Sequence, residues 1–255
     1  MTPTCTILAV NHNARRFVEL CVKGVLKSAA CSELVVLDNG STDGSIEFLS
    51  SIPRVKLIRR NVPFGEGPSP AMCMNEHGIA IDQYLAVERP MEWVLLMDSD
   101  AYPVKPSFDQ LLISFAGDSD IMGYPIGGYT SGGGRPFSWR LHPATLLIRS
   151  AVFRSVKTSF APVRKDGVVF DTAGMFIHDA AKAGLKVKTV EWPWMNTIVR
   201  HRSGGTRGEF WRRHKADFPT ASVGIGVDEW LSRHDKSNEV WFGDPTVKEI
   251  LGYKP

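Results

Sequence analysis

A chain of 255 residues, 43% of them hydrophobic, is long enough to bury the core of one large α/β domain and too short for two full domains. Charged residues at 22% exclude a disordered or fibrous chain, and a formal net charge of +3 does not by itself select nucleic acid or a membrane as partner. Cys5, Cys21, Cys31 and Cys73 form no C-x-x-C pair, and the apolar run at residues 7–10 is far shorter than a signal core or a membrane span. The expectation is a reduced, cytoplasmic chain without a membrane anchor of its own.

In chain order, residues 5–10 read as a first strand. After a polar turn, Phe17, Val18, Cys21, Val22, Val25 and Leu26 recur at helical spacing, with Arg16, Glu19, Lys23 and Lys27 on the opposite face. That pattern predicts an amphipathic helix packed on a sheet. Residues 33–38 (ELVVLD) form the second expected strand, 46–49 sit in a short helix, and 55–58 form a third strand. Brief strands alternating with helical stretches imply a mostly parallel sheet with crossover helices. A Pro/Gly-rich loop over 61–70 leads to a helix ending near Ala86. Residues 93–97 (WVLLM) are then apolar at every position, as suits a strand covered on both faces. Further on, the pattern predicts a helix at 108–115, a strand near Ile121, a Gly-rich loop over 127–134 and a strand over 141–148. A helix at 173–183 closed by Gly184 and a strand at 187–190 follow. Beyond His201 the chain is basic, then polar and aromatic, and reads as a helical or irregular appendage.

Asp38-Asn39-Gly40-Ser41-Thr42-Asp43 stands directly after the second strand. Ligands of open α/β sheets bind beyond the carboxyl ends of the strands, so Asp38 faces the crevice and can accept from a base N–H. Asn39-Gly40 also reads as a turn and Asp43 as a helix cap. Asp98-Ser99-Asp100 ends the apolar strand at 93–97. A divalent cation held there by carboxylate would neutralise a diphosphate, with Asp100 as ligand and Asp98 on ribose or a metal-bound water.

These motifs, in this order, resemble the nucleotide-sugar glycosyltransferases of the GT-A fold, specifically the inverting glycosyltransferase family 2. Val10-Asn11-His12-Asn13 is similar to that family's short turn after the first strand, residues 38–43 to its D-[ND]-x-S-x-D, and Asp98-Ser99-Asp100 to its D-x-D. Asn61, Gly65, Asn75 and Gly78 match its middle motif more loosely, with Met74 where a basic residue often stands. The resemblance covers about the first 105 residues. It implies a Rossmann-like GT-A sheet flanked by helices, with a nucleotide-binding half at 1–105, an acceptor half at 106–205 and a C-terminal extension at 206–255. It further implies donor contacts from Val10, Asn11, Asn13, Asp38, Asn75, Asp98 and Ser99, a Mn²⁺ or Mg²⁺ ion on Asp100, and UDP as the commonest nucleotide.

Inverting transfer needs a general base for the acceptor hydroxyl. The family's E-D pair is missing from the matching region; Asp171 is the candidate, a helix cap being its alternative role, and Asp179 beside His178 is the reserve. His201 resembles a histidine that some members use as a further metal ligand, and imidazole suits Mn²⁺. The basic residues Arg200, Arg202, Arg207, Arg212, Arg213 and Lys215 face only Glu209 in their stretch. They read either as solvated residues with one or two arginines near a diphosphate, or as a grip on a polyanionic acceptor such as nucleic acid. Two other functions stand beside glycosyl transfer: a non-catalytic nucleotide-sugar or carbohydrate-binding module, and nucleotidyl transfer, for which Asn11-His12-Asn13-Ala14 lacks the usual Gly-rich basic loop.

Overall fold

The computed structural model describes residues 4–30, 32–60, 70–126, 138–202 and 227–252, with backbone alone at 70–75, 227 and 230. The first half alternates β1 (Cys5–Asn11), α1 (Arg15–Ser28), β2 (Ser32–Asp38), α2 (Ser45–Ser50), β3 (Val55–Arg59), α3 (Pro70–Val87) and β4 (Trp93–Asp98). The second half is more broken. It runs β5 (Ala101–Pro103), α4 (Phe108–Ala116), β6 (Ile121–Gly123), β7 (Pro125–Ile126), β8 (Arg140–Leu141), β9 (Thr145–Arg149) and α5 (Val152–Ser155). Then come β10 (Val163–Lys165), β11 (Val168–Phe170), α6 (Gly174–Lys182), β12 (Val187–Thr189), α7 (Trp192–Asn196) and β13 (Val199–His201). The described part of the C-terminal stretch is helical: α8 (Val227–Gly243) and α9 (Pro245–Leu251).

The central sheet has seven strands in the order β12-β6-β9-β4-β1-β2-β3. Neighbouring strands run parallel except at β9, which is antiparallel to β4 and β6. The expected mostly parallel sheet flanked by helices is therefore present. From β1 the chain moves outward through β2 and β3, then returns to the other side of β1 as β4. In open α/β sheets a reversal of this kind marks the ligand-binding end of the sheet, here beyond the carboxyl ends of β1 and β4. Register makes those ends level: Val10 lies opposite Asp98, and Asn11 opposite Asp38.

Each sheet face carries its own core, as side chains alternating along β1 require. Cys5, Ile7 and Ala9 pack with Val18, Cys21, Val22 and Val25 of α1, while Leu8 and Val10 pack with Ile81 and Tyr84 of α3 and Phe176 of α6. Cys5 and Cys21 are buried free thiols. A third cluster joins the other side of α1, through Phe17 and Leu20, to Phe242 and Val247 of the C-terminal helices. The polar face of α1 is thus partly covered: Arg16 stacks 4.0 Å over Phe242, Lys23 donates to the Leu251 carbonyl and Lys27 pairs with Glu249.

The strand expected over 141–148 is two strands in two sheets. Pro143 lies between them and has no N–H to donate; β8 pairs with β7, and β9 enters the central sheet. Among the described residues, no helix is long and apolar enough to cross a membrane.

Gly78, loosely matched to a family motif, has a packing reason to be glycine. A Cβ there would stand 2.4 Å from the backbone N and Cα of Ala161. Asp82, one turn further along α3, accepts the Phe160 N–H at 2.9 Å and the Ser159 hydroxyl, so this stretch is tied down where the clash would fall. Gly78→Ala is expected to cost about 3 kcal/mol, the upper end of overpacking, because backbone rather than a flexible side chain must move. Urea unfolding reads this as a lower midpoint, and an unchanged midpoint would mean that residues 159–161 yield freely.

Candidate active site

The turns after β1 and β2 are cross-linked by nearly every polar side chain of the two motifs. Asp38 is fully buried; its Oδ2 accepts from Asn11 Nδ2 at 2.8 Å and the Ser41 hydroxyl at 2.7 Å, and its Oδ1 accepts the Ser41 N–H at 2.8 Å. Asn13, at φ 48°, accepts the Thr42 N–H through Oδ1 and donates its own backbone N–H to Ser41 Oγ. Asp43 does not occupy the N-cap position of α2, which is Gly44, yet it bonds Ser45 N–H and the Arg15 N–H that begins α1. Arg60 extends the network by donating to Asn39 Oδ1 at 2.5 Å and to the Glu76 carbonyl on α3. Asp38 therefore organises the strand tips. Among the described residues Asn11 Oδ1 is buried with no hydrogen-bond partner, a deficit that a bound polar group would relieve.

The second constellation lies one strand away. Ser99 and Asp100 turn the chain from β4 into β5, and both are buried. The short β5 pairs antiparallel with β13, which sets His201 opposite Ala101, and the Arg202 N–H donates to the Asp100 carbonyl at 2.9 Å. His201 Nε2 consequently stands 3.2 Å from Asp100 Oδ1 and 3.4 Å from Asp98 Oδ2. Its Nδ1 lies 3.3 Å from the Tyr124 hydroxyl. Two residues absent from the expectation join them. His142, in the break between β8 and β9, has a ring nitrogen within 4.8 Å of donor atoms of Asp98 and His201, and His77 Nε2 on α3 lies 3.8 Å from Asp98 Oδ1. Tyr124 stacks on His142 with ring centroids 5.1 Å apart, and Trp192 meets Tyr124 at 4.6 Å and the edge of His201 at 6.4 Å. The clue in the sequence was a histidine beside a strand-breaking proline; only the β8–β9 break brings it to the site.

The two histidines have opposite fates. Burial pulls the His201 imidazole down, but Asp100 and Asp98 more than offset it and hold its proton to about 10. Burial pushes His142 down to about 3, helped by the positive charges of His201 and Arg140. Burial alone would raise Asp98, yet its hydrogen bond and attraction to His201 hold it well below the usual carboxylate range. Carboxylates facing an imidazole nitrogen whose other nitrogen is oriented by a hydroxyl fit a divalent cation in donor type and support.

A cation held by His201 Nε2 would compete with its proton, so metal affinity would depend on pH. With the folded pKa raised to about 10, affinity is expected to climb roughly tenfold per pH unit between pH 6 and 9, one proton being released per ion. Without metal the sign is opposite. The stability that the raised pKa contributes is complete below the ordinary histidine value and disappears as pH rises through about 10. Calorimetric metal titrations in buffers of different ionisation enthalpy count that proton, and a pH-independent affinity would remove His201 from the ligand set.

The remaining expected residues fall as follows. Asp171 is buried; its Oδ2 lies 2.5 Å from Arg140 Nη2 and its Oδ1 accepts the Thr172 N–H at 2.7 Å. It is not the cap of α6, whose N-cap position is Ala173, without a side-chain cap. Asp179 accepts from the Thr158 hydroxyl and lies 3.3 Å from His178, tying α6 to the stretch before it. Arg200 pairs with Asp244 at 3.4 Å and Arg202 donates to Ser237 at 2.8 Å, so both engage the C-terminal helices. Arg207, Arg212, Arg213, Lys215, Asn61, Gly65 and the 127–134 loop lie outside the described residues, as does the side chain of Asn75.

No protein-family model matches the chain, and no curated protein matches it. Solved structures do. The mannosyltransferase PcManGT from Pyrobaculum calidifontis, in complex with GDP-Man and Mn²⁺, is 13% identical over 99% of this chain and 75% of its own, with a TM-score of 0.52. TarS from S. aureus is 14% identical over 99% of this chain and 43% of its own, with a TM-score of 0.53. The chain thus spans three quarters of the first protein and under half of the second. At these identities the likeness is one of architecture. The fold is GT-A, with acidic and imidazole groups gathered at the carboxyl end of its central strands.

Proposed function

We propose that this chain is a metal-dependent, inverting glycosyltransferase resembling family 2, which moves a sugar from a nucleotide diphosphate, UDP first among the candidates, to an acceptor hydroxyl. The observation that carries the proposal is the convergence of Asp98, Asp100 and His201 at the crevice between the carboxyl ends of β1 and β4. Crevices of this kind hold nucleotides in open α/β sheets. A Mn²⁺ or Mg²⁺ ion held there, when bound, would supply positive charge against the leaving diphosphate.

The chain's own residues would do the rest. Val10, Asn11, Asn13 and Ser99 would line the donor side, with Asn11 offering its unmet amide oxygen, and the family resemblance adds Asn75 to that set. Asp38 would contact the base, and its bonds to Asn11 and Ser41 hold the two strand tips together. Asp98 would serve cation and ribose. In the transfer, the acceptor oxygen bonds to the anomeric carbon as the bond to the diphosphate breaks, and the hydroxyl proton passes to a carboxylate, for which Asp171 is proposed. A second reading of Asp171, as the structural partner of Arg140, is favoured by the engagement of both its oxygens within the chain. Residues 1–205 would form the catalytic unit, with 206–255 as the extension whose described helices pack on α1.

Purified protein with Mn²⁺ is expected to hydrolyse slowly, or transfer from, at least one member of a panel of UDP- and GDP-sugars. If none is turned over and none binds calorimetrically, glycosyl transfer is wrong. Acceptor panels of glycans, proteins and oligonucleotides at rising salt then separate a polyanion, whose capture weakens steeply with salt, from a neutral acceptor.

A further inference from the structure

His142 and His201 each place a ring nitrogen within 4.8 Å of an Asp98 carboxylate oxygen, so each is a candidate to hold a cation there. Their hydrogen bonds make them different. His142 Nδ1 accepts the backbone N–H of Ala144 at 3.0 Å. Only an unprotonated ring nitrogen can do so, which leaves the proton of the neutral imidazole on Nε2. Neither nitrogen then has a lone pair to give a cation. His201 is arranged the other way, with Nδ1 beside the Tyr124 hydroxyl and Nε2 toward the carboxylates of Asp98 and Asp100. The His142 ring is also held in place, stacked on Tyr124 at 13° between planes and tilted against His201 at a centroid distance of 4.9 Å. Turning it over would break the Ala144 bond and strand that N–H.

We propose that His142 is not a ligand of the cation but a fixed hydrogen-bond donor beside it, presenting Nε2–H to an anionic oxygen. Resting, for the identity of the anion, on the function proposed above, that oxygen belongs to the diphosphate of the sugar nucleotide. The site then divides its labour: Asp98, Asp100 and His201 take the cation, and His142 adds a neutral donor that orients the diphosphate without repelling the metal.

Imidazole ¹⁵N correlation spectra of the full chain test the tautomer directly and need neither metal nor substrate. His142 is expected to show a protonated Nε2 and an unprotonated Nδ1. The Nδ1–H pattern would overturn the proposal. Calorimetry with Mn²⁺ alone separates the two histidines: His142→Gln, which keeps a terminal N–H donor, should bind within about twofold of the parent, and His201→Gln at least about tenfold more weakly. A tenfold loss in His142→Gln would make it a ligand and refute the assignment. With Mn²⁺ present, pyrophosphate should bind roughly tenfold more weakly to His142→Ala than to the parent and recover in His142→Gln. Equal pyrophosphate affinity in parent and His142→Ala would refute the donor role. Failure of every sugar nucleotide to turn over would sink glycosyl transfer while leaving these three readouts intact.

Discussion

Mn²⁺ is expected to stabilise the parent protein thermally at the proposed site, and Asp100→Ala to abolish that stabilisation. At Mn²⁺ a hundredfold above its dissociation constant, binding to the folded state alone adds about 2.7 kcal/mol. For a chain of this size that corresponds to a shift of roughly 5–10 °C in the unfolding midpoint. Asp100 is the nearer of the two carboxylates to His201 Nε2, at 3.2 Å against 3.4 Å for Asp98, and the Arg202 N–H bond to its carbonyl fixes its backbone on the β13 side. Without it, one carboxylate and one imidazole remain, and the attraction that most favours the His201 proton is lost as well. The metal-free variant should fold, because Asp100 ends a turn rather than a core element. Differential scanning fluorimetry with and without Mn²⁺ reads the outcome. A variant that keeps the full Mn²⁺ shift would mean that the cation binds elsewhere.

Arg140→Met is expected to cost about 3–5 kcal/mol, the largest single effect on stability foreseen for this protein. Arg140 and Asp171 form a buried pair at 2.5 Å, and Arg140 also donates to the Thr172 carbonyl. Removing the guanidinium leaves a buried carboxylate without its counter-charge, which is far costlier than never having had the pair. Asp171→Asn in the Arg140→Met background should recover part of the loss by removing the stranded charge. The same variants divide the two roles of Asp171. A base requirement appears as a fall of at least about a hundredfold in kcat for Asp171→Asn with donor affinity retained. A purely structural role appears as lower stability with kcat essentially unchanged.

The first half of the chain was legible because its signals are local. Residues 5–10, 33–38 and 93–97 are apolar runs ended by polar turns, and they appear as β1, β2 and β4 within a residue or so. The motif at 38–43 was legible as a turn after a strand, but its hydrogen bonds to Asn11, Asn13 and Arg15 cross about 28 residues of chain. No local pattern reveals them, so the organising role of Asp38 emerged only from the packing. The second half was read less well because its strands are three residues or fewer apart from β9, too short for a period to register. The break at Pro143, which carries His142 into the site, looked like the interior of one strand.

By itself the order of residues along the chain determined the alternating strands and helices, the carboxylates at the tips of β2 and β4, and the candidacy of His201, since hydrophobic period and turn chemistry are properties of neighbours in sequence. Tertiary structure decided what those groups face. The pairing of β5 with β13 set His201 against Asp98 and Asp100, the β8–β9 break brought His142 beside them, and the C-terminal helices covered a face of α1 that its charges mark as solvated. Such juxtapositions depend on contacts between segments far apart along the chain, and the free energy that selects them comes from burial summed over the whole core rather than from any segment.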